Sequence, residues 1–207
     1  MNRRRRHVPF PIALGLLAQA LAAQAQDGAW TDARWHLSPA YSYAWPDSKE
    51  QTTDGSAWQL SLGRPIAARW DLEFGVIDYD RGFDDGSPGS FHQTAYGVSA
   101  LWSLDDRPRP VAPFLLFGFG LNHQVDSGVG CRCLPALAGH GLVTLPNTGT
   151  KLYGTVGVGL LASPRDWEGA LRISLQYLHT GGNSVYGNHG YNDRIAGIGL
   201  QIPLALP

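Results

Sequence analysis

From Arg34 onward the chain is a succession of segments in which bulky apolar residues recur at every second position. The last two show this over the greatest length. Leu171, Ile173, Leu175, Tyr177 and His179 share one parity against Arg172, Ser174, Gln176, Leu178 and Thr180. After a polar stretch, Ala196, Ile198, Leu200, Ile202 and Leu204 alternate with Ile195, Gly197, Gly199 and Gln201. A period of two held this long specifies a β-strand. One parity is apolar and bulky while the other is small or polar, as in a strand with lipid on one side and a narrow filled interior on the other.

The same reading applied upstream gives six more strands. Residues 34–45 place Trp35, Leu37, Pro39, Tyr41, Tyr43 and Trp45 outward and His36, Ser38, Ala40, Ser42 and Ala44 inward. Residues 56–67 put Trp58, Leu60 and Leu62 outward, opposite Ala57, Gln59, Ser61 and Gly63. Residues 70–81 put Trp70, Leu72, Phe74 and Val76 outward, opposite Asp71, Glu73 and Gly75, with a bulge expected near Val76-Ile77-Asp78, where the parity falters. Residues 92–104 (Tyr96, Val98 and Trp102 out), 111–122 (Leu115, Phe117, Phe119 and Leu121 out) and 151–163 (Leu152, Val156, Val158 and Leu160 out) follow, and the final pair spans 169–180 and 192–204.

The connections alternate in length. Those at 67–69, 105–110 and 164–168 are short, while 46–55, 82–91, 124–150 and 181–191 are long and polar. Short turns at one end, longer loops at the other and an even strand number describe an outer-membrane barrel. The expected fold is therefore all-β, an eight-stranded antiparallel up-and-down transmembrane β-barrel in the cell outer membrane. A soluble lipocalin-like carrier is the competing arrangement, with the apolar parity turned inward around a cavity. The aromatic residues near the strand ends, Trp35, Tyr43, Trp45, Trp58, Trp70, Trp102 and Tyr177, favour the membrane, where they would form girdles at the two interfaces.

Composition sharpens this picture. The chain has 26 Gly, 7 Trp, 8 Tyr and 7 Phe but only 16% charged residues. Its 16 basic and 17 acidic residues nearly cancel, which leaves no basis for nucleic-acid binding. The one basic cluster, Arg3 to Arg6, precedes the apolar run Pro11 to Leu21 and the small-x-small site Ala23-Gln24-Ala25. This reads as a secretory signal peptide, residues 1–25, ahead of a barrel domain at 26–207. The apolar run is well short of the roughly 20 residues a spanning helix needs.

Chemistry-bearing residues are sparse. Cys131 and Cys133, one residue apart in the longest loop, form either a tight disulfide, a labile redox pair or two free thiols. A zinc site adding His123, His140 or His189 lacks the usual four-ligand spacing, so no metal and no cofactor is expected. The inward set includes Gln59, Asp71, Glu73, Arg172 and Gln176. Charges at membrane depth must pair or reach water, so Arg172 with Glu73 or Asp71 is the expected lumen ion pair, beside Gln176. Such a pair reads as a plug in preference to a gate, because eight strands enclose a lumen that side chains just fill.

The barrel-wall segments Trp58-Gln-Leu-Ser-Leu-Gly-Arg-Pro, Trp70-Asp-Leu-Glu-Phe-Gly, Val111-Ala-Pro-Phe-Leu-Leu-Phe-Gly-Phe-Gly, Gly154 to Leu160 and Asn192 to Leu204 resemble the OmpA-like outer-membrane β-barrel family. The resemblance covers the barrel, without the peptidoglycan-binding domain of longer members. Leu206-Pro207 stands where such barrels commonly carry a terminal aromatic. It implies outer-membrane lipid, lipopolysaccharide and the outer-membrane assembly machinery as partners, with a structural or surface-interaction role. No surface ligand is specified.

The segments His179-Thr-Gly-Gly-Asn183 and Asn192-Asp-Arg-Ile-Ala196 are similar in position to the catalytic strands of PagL-type lipid A deacylases, which are also eight-stranded barrels. The nucleophile position of that family is Gly181 here and the acid position is Ala196. Thr180 or Ser184 would have to serve as substitute hydroxyls with no matching carboxylate, so catalysis is not expected.

Overall fold

A computed structural model describes residues 34–46, 52–82, 90–105, 110–126, 147–164, 167–181 and 190–204. Eight strands follow one another: β1 His36–Trp45, β2 Gly55–Ala67, β3 Trp70–Arg81, β4 Phe91–Ser103, β5 Val111–Asp126, β6 Asn147–Ala162, β7 Ala170–Thr180 and β8 Tyr191–Pro203. Each pairs antiparallel with its neighbour in sequence, and β1 pairs with β8 to close the sheet. Closure gives every strand two partners, which hydrocarbon demands because it offers backbone N–H and C=O groups no water.

Side-chain parity divides the wall as the alternation specifies. Phe74, Phe119, Val156 and Ile198 are 55%, 68%, 52% and 45% exposed, on the outside, while Glu73 and Arg172 are 3% and 7% exposed, inside. A cavity-bearing carrier would require the reverse. The outward row of bulky apolar side chains, too extensive for a surface in water, faces lipid.

Two expectations change. Pairing of β3 with β2 and with β4 runs unbroken through Val76, Ile77 and Asp78, and the register shift lies instead between Pro65 and Ala67 in β2. Pro65 has no N–H to donate, so the ladder slips there without losing a bond. The faltering parity at Ile77 marks a change of surroundings: Ile77 and Tyr79 point into the lumen and Asp78 and Asp80 point out. β5 and β6 also extend to Asp126 and from Asn147, so their connection is shorter than 124–150.

The lumen is filled in layers. Near the long-loop end, Ala44, Ile77, Tyr79, Tyr153, Leu178 and Ile195 belong to one apolar cluster; toward the short-turn end Leu101, Phe114, Leu116 and Leu161 belong to another. Gly97 of β4 directly opposes Gly120 of β5, and the Tyr153 ring lies across both. A Cβ on Gly97 would come 2.6 Å from Tyr153 Oη, and one on Gly120 would come 2.7 Å from Tyr153 Cε1. The ring therefore packs where any larger residue would stand.

Candidate functional site

The polar residues of the lumen lie in three groups along its axis. At the short-turn end, Asp71 and Glu73 project from one face of β3, as residues two apart on a strand must. Arg172 of β7 reaches across, its Nη1 donating to Glu73 Oε1 at 2.6 Å. His36 of β1 completes the group, with Nε2 3.4 Å from Glu73 Oε1 and 3.5 Å from Asp71 Oδ2. The Arg172 guanidinium also lies 5.3 Å from the Phe114 ring centroid, which flanks the charge with a π-face.

In the middle a chain of amides spans the barrel. Gln176 Nε2 donates to Gln59 Oε1 at 3.2 Å, and Gln59 Nε2 donates to Ser42 Oγ at 2.8 Å. Around these lies a cavity of about 40 Å3, lined by Ser38, Gln59, Glu73, Ser99, Arg172 and Gln176 among others.

At the long-loop end lies a second ion pair. Arg81 Nη2 is 2.9 Å from Asp193 Oδ2, and Arg81 Nη1 donates to Asp193 Oδ1 at 3.2 Å. Tyr79 Oη donates to the same carboxylate at 3.0 Å, and the Arg81 guanidinium sits 4.4 Å from the Tyr79 ring centroid. Gln93 donates to Tyr191 Oη at 3.0 Å and Asn122 to Thr180 Oγ1 at 3.1 Å.

Of the four lumen residues read from sequence, Arg172 and Glu73 meet directly, Asp71 adjoins them through His36, and Gln176 stands apart in the amide chain. Sequence reasoning placed His36 on the inward side without assigning it to the ion-pair group, and did not single out Arg81 or Asp193. All three sit on inward parities, so alternation alone would have assigned them to the lumen. What alternation cannot supply is which charged residues on distant strands share a level.

The aromatic residues fall into two bands. Trp35, Trp70 and Trp102 lie toward the short-turn end, where Trp70 and Trp102 stack with centroids 6.1 Å apart. Tyr43, Trp45, Trp58 and Tyr177 lie toward the other end, Tyr43 and Trp45 meeting edge to face at 4.9 Å. Cys131, Cys133, His140, Ser184 and His189 lie outside the described residues. His123 Nδ1 contacts Thr150 Oγ1 at 3.0 Å. The deacylase-like residues diverge: His179 faces outward with Nδ1 2.7 Å from Asn192 Oδ1, whereas Thr180 is fully buried on the opposite face.

Neisserial surface protein A, of known crystal structure, superposes with a TM-score of 0.63 at 16% identity, covering 82% of this chain and 97% of that one. The fold is that of the small outer-membrane barrels. Two further solved structures are similar at lower scores. They are Ail, the attachment invasion locus protein of Yersinia pestis (TM-score 0.49, 14% identity, 83% and 99% covered), and the N-terminal barrel of Pseudomonas aeruginosa OprF (0.45, 12%, 86% and 100%). No family model and no curated protein matches the chain. This outer-membrane barrel therefore shares an architecture with a protein to which it is only 16% identical, and its lumen and loops must be read from its own residues.

Proposed function

We propose that the protein is a structural or surface-interaction component of the outer membrane, with a plugged lumen and no catalytic activity. The observation that carries this reading is the lumen itself. A cavity of about 40 Å3 holds only about three waters, at roughly 10–15 Å3 each, and an ion pair stands toward each end of the barrel. Both features support a lumen that gives a hydrated solute no continuous path among the described residues. What remains to meet partners is the outer wall and the long loops.

Export begins with the signal peptide, cleaved after Ala25. The chain then reaches the outer-membrane assembly machinery, which inserts it with its long loops outward and its short turns in the periplasm. Trp35, Trp70 and Trp102 anchor one interface, and Tyr43, Trp45, Trp58 and Tyr177 the other, where the amphipathic rings meet lipid headgroups and lipopolysaccharide. The reading is tested by fractionating cells, following heat-modifiable migration of the outer-membrane band, and recording the purified barrel in planar bilayers. A heat-modifiable band with no steady conductance is expected. A stable open channel in the native sequence would refute the plug.

A further inference from the structure

We propose that His36, Asp71 and Glu73 form a binding site for a divalent transition metal, zinc being the best match, at the short-turn end of the lumen. The three ligand atoms lie within 4.8 Å of one another and all three residues are buried. The site goes beyond the plugged-lumen reading and does not depend on it.

The spacing suits a metal. His36 Nε2 stands 3.5 Å from Asp71 Oδ2 and 3.4 Å from Glu73 Oε1, both longer than the about 2.7–2.9 Å of a single charge-assisted N–H···O bond. A tetrahedral zinc with ligands at about 2.0–2.2 Å has ligand-to-ligand edges of roughly 3.4 Å. The two separations from His36 match such edges, and the three ligand atoms all lie within 4.8 Å of one another.

Charge and polar satisfaction point the same way. Asp71 is 1% exposed and its Oδ1 has no hydrogen-bond partner. Arg172 makes its short contact with Glu73, so the nearest basic side-chain atom to Asp71 among the described residues is His36 Nε2. A cation between His36, Asp71 and Glu73 would engage the Asp71 carboxylate, whose other oxygen is unpartnered, and Arg172 would hold the Glu73 carboxylate, as partners of ligating carboxylates do. Glu73 also lines the central cavity, so water can reach a fourth coordination position. One imidazole and two carboxylates without thiolate suit zinc, cobalt or manganese.

The room for the site comes from β2, which runs between β1 and β3. At the crossing stands Gly63, where a Cβ would lie 2.5 Å from His36 Nε2 and 2.7 Å from Glu73 Cγ. Only glycine lets these two side chains converge over the intervening strand.

The experiment uses the full barrel carrying Cys131→Ser and Cys133→Ser, so that loop thiols take no metal. The protein is refolded in detergent with zinc chloride, desalted, and its bound metal counted by elemental analysis. A parallel sample takes cobalt for visible absorption. One zinc per folded chain and the intense bands of four-coordinate cobalt are expected, with at least tenfold weaker retention in His36→Ala and in the isosteric Asp71→Asn. Heat-modifiable migration establishes that each variant is folded. A folded parent without zinc would overturn the proposal. So would zinc retention unchanged in either folded variant, or the faint spectrum of six-coordinate cobalt.

Discussion

Arg81, the last residue of β3, lies 2.9 Å from Asp193 of β8, with neither side chain exposed to solvent. The pair joins two strands that share no backbone ladder. Removing one partner of a buried pair leaves an uncompensated charge and costs about 3–5 kcal/mol. Asp193→Ala should therefore lower the unfolding free energy of the refolded barrel by that order, read from urea titrations followed through tryptophan fluorescence. Arg81→Leu combined with Asp193→Leu should recover much of the loss, since two apolar residues leave no charge behind.

The outer wall makes a depth-dependent prediction. Val158 is half exposed to lipid and pairs with Leu115 and Leu175 on the flanking strands. Val158→Arg should destabilise the barrel by about 2–4 kcal/mol in vesicles, and Tyr43→Arg in the aromatic band by about 0–1 kcal/mol. Equal costs at the two positions would mean that the wall does not face hydrocarbon.

Close packing at the Gly97 and Gly120 pair predicts a failure of assembly. A side chain on Gly120 would meet the Gly97 Cα at 2.6 Å as well as the Tyr153 ring, neither free to withdraw. Gly120→Val should abolish the heat-modifiable folded band. Gly149→Ala, at a position with nothing within 4 Å, should leave it unchanged.

Orientation of the late strands bears on catalysis. His179 and Thr180 project from opposite faces of β7, and Thr180 is held in the lumen by Asn122. Nucleophile and base must stand within hydrogen-bond reach of each other. Lipid A from cells overproducing the protein should keep its acylation pattern by mass spectrometry; loss of an acyl chain would establish deacylase activity.

The barrel was legible because lipid and lumen sort alternate residues so sharply that Leu171 to Thr180 and Asn192 to Leu204 declare both faces without reference to any other strand. The Arg172 and Glu73 pair was legible for a related reason: few charges share the inward parity, so the choices are few. The slip at Pro65 was not, since alternation records which face a residue takes and is silent on how two ladders align. Nor was the inversion at Ile77 to Asp80, where the same parity rule operates but the media have changed places. The pairing of Arg81 with Asp193 escaped because the two residues, 112 positions apart in sequence, meet through barrel closure, a property of the whole sheet that no local stretch encodes.

If the lumen is plugged as proposed, its two ion pairs, one beyond the amide chain in each direction, act as locks in series. Disabling either alone leaves the other and its apolar neighbours intact, so a single-site leak is not the expected outcome of mutation at Arg172 or at Arg81. Permeation would then scale with the chance that both open together, and such a barrel would keep one barrier after losing the other to mutation.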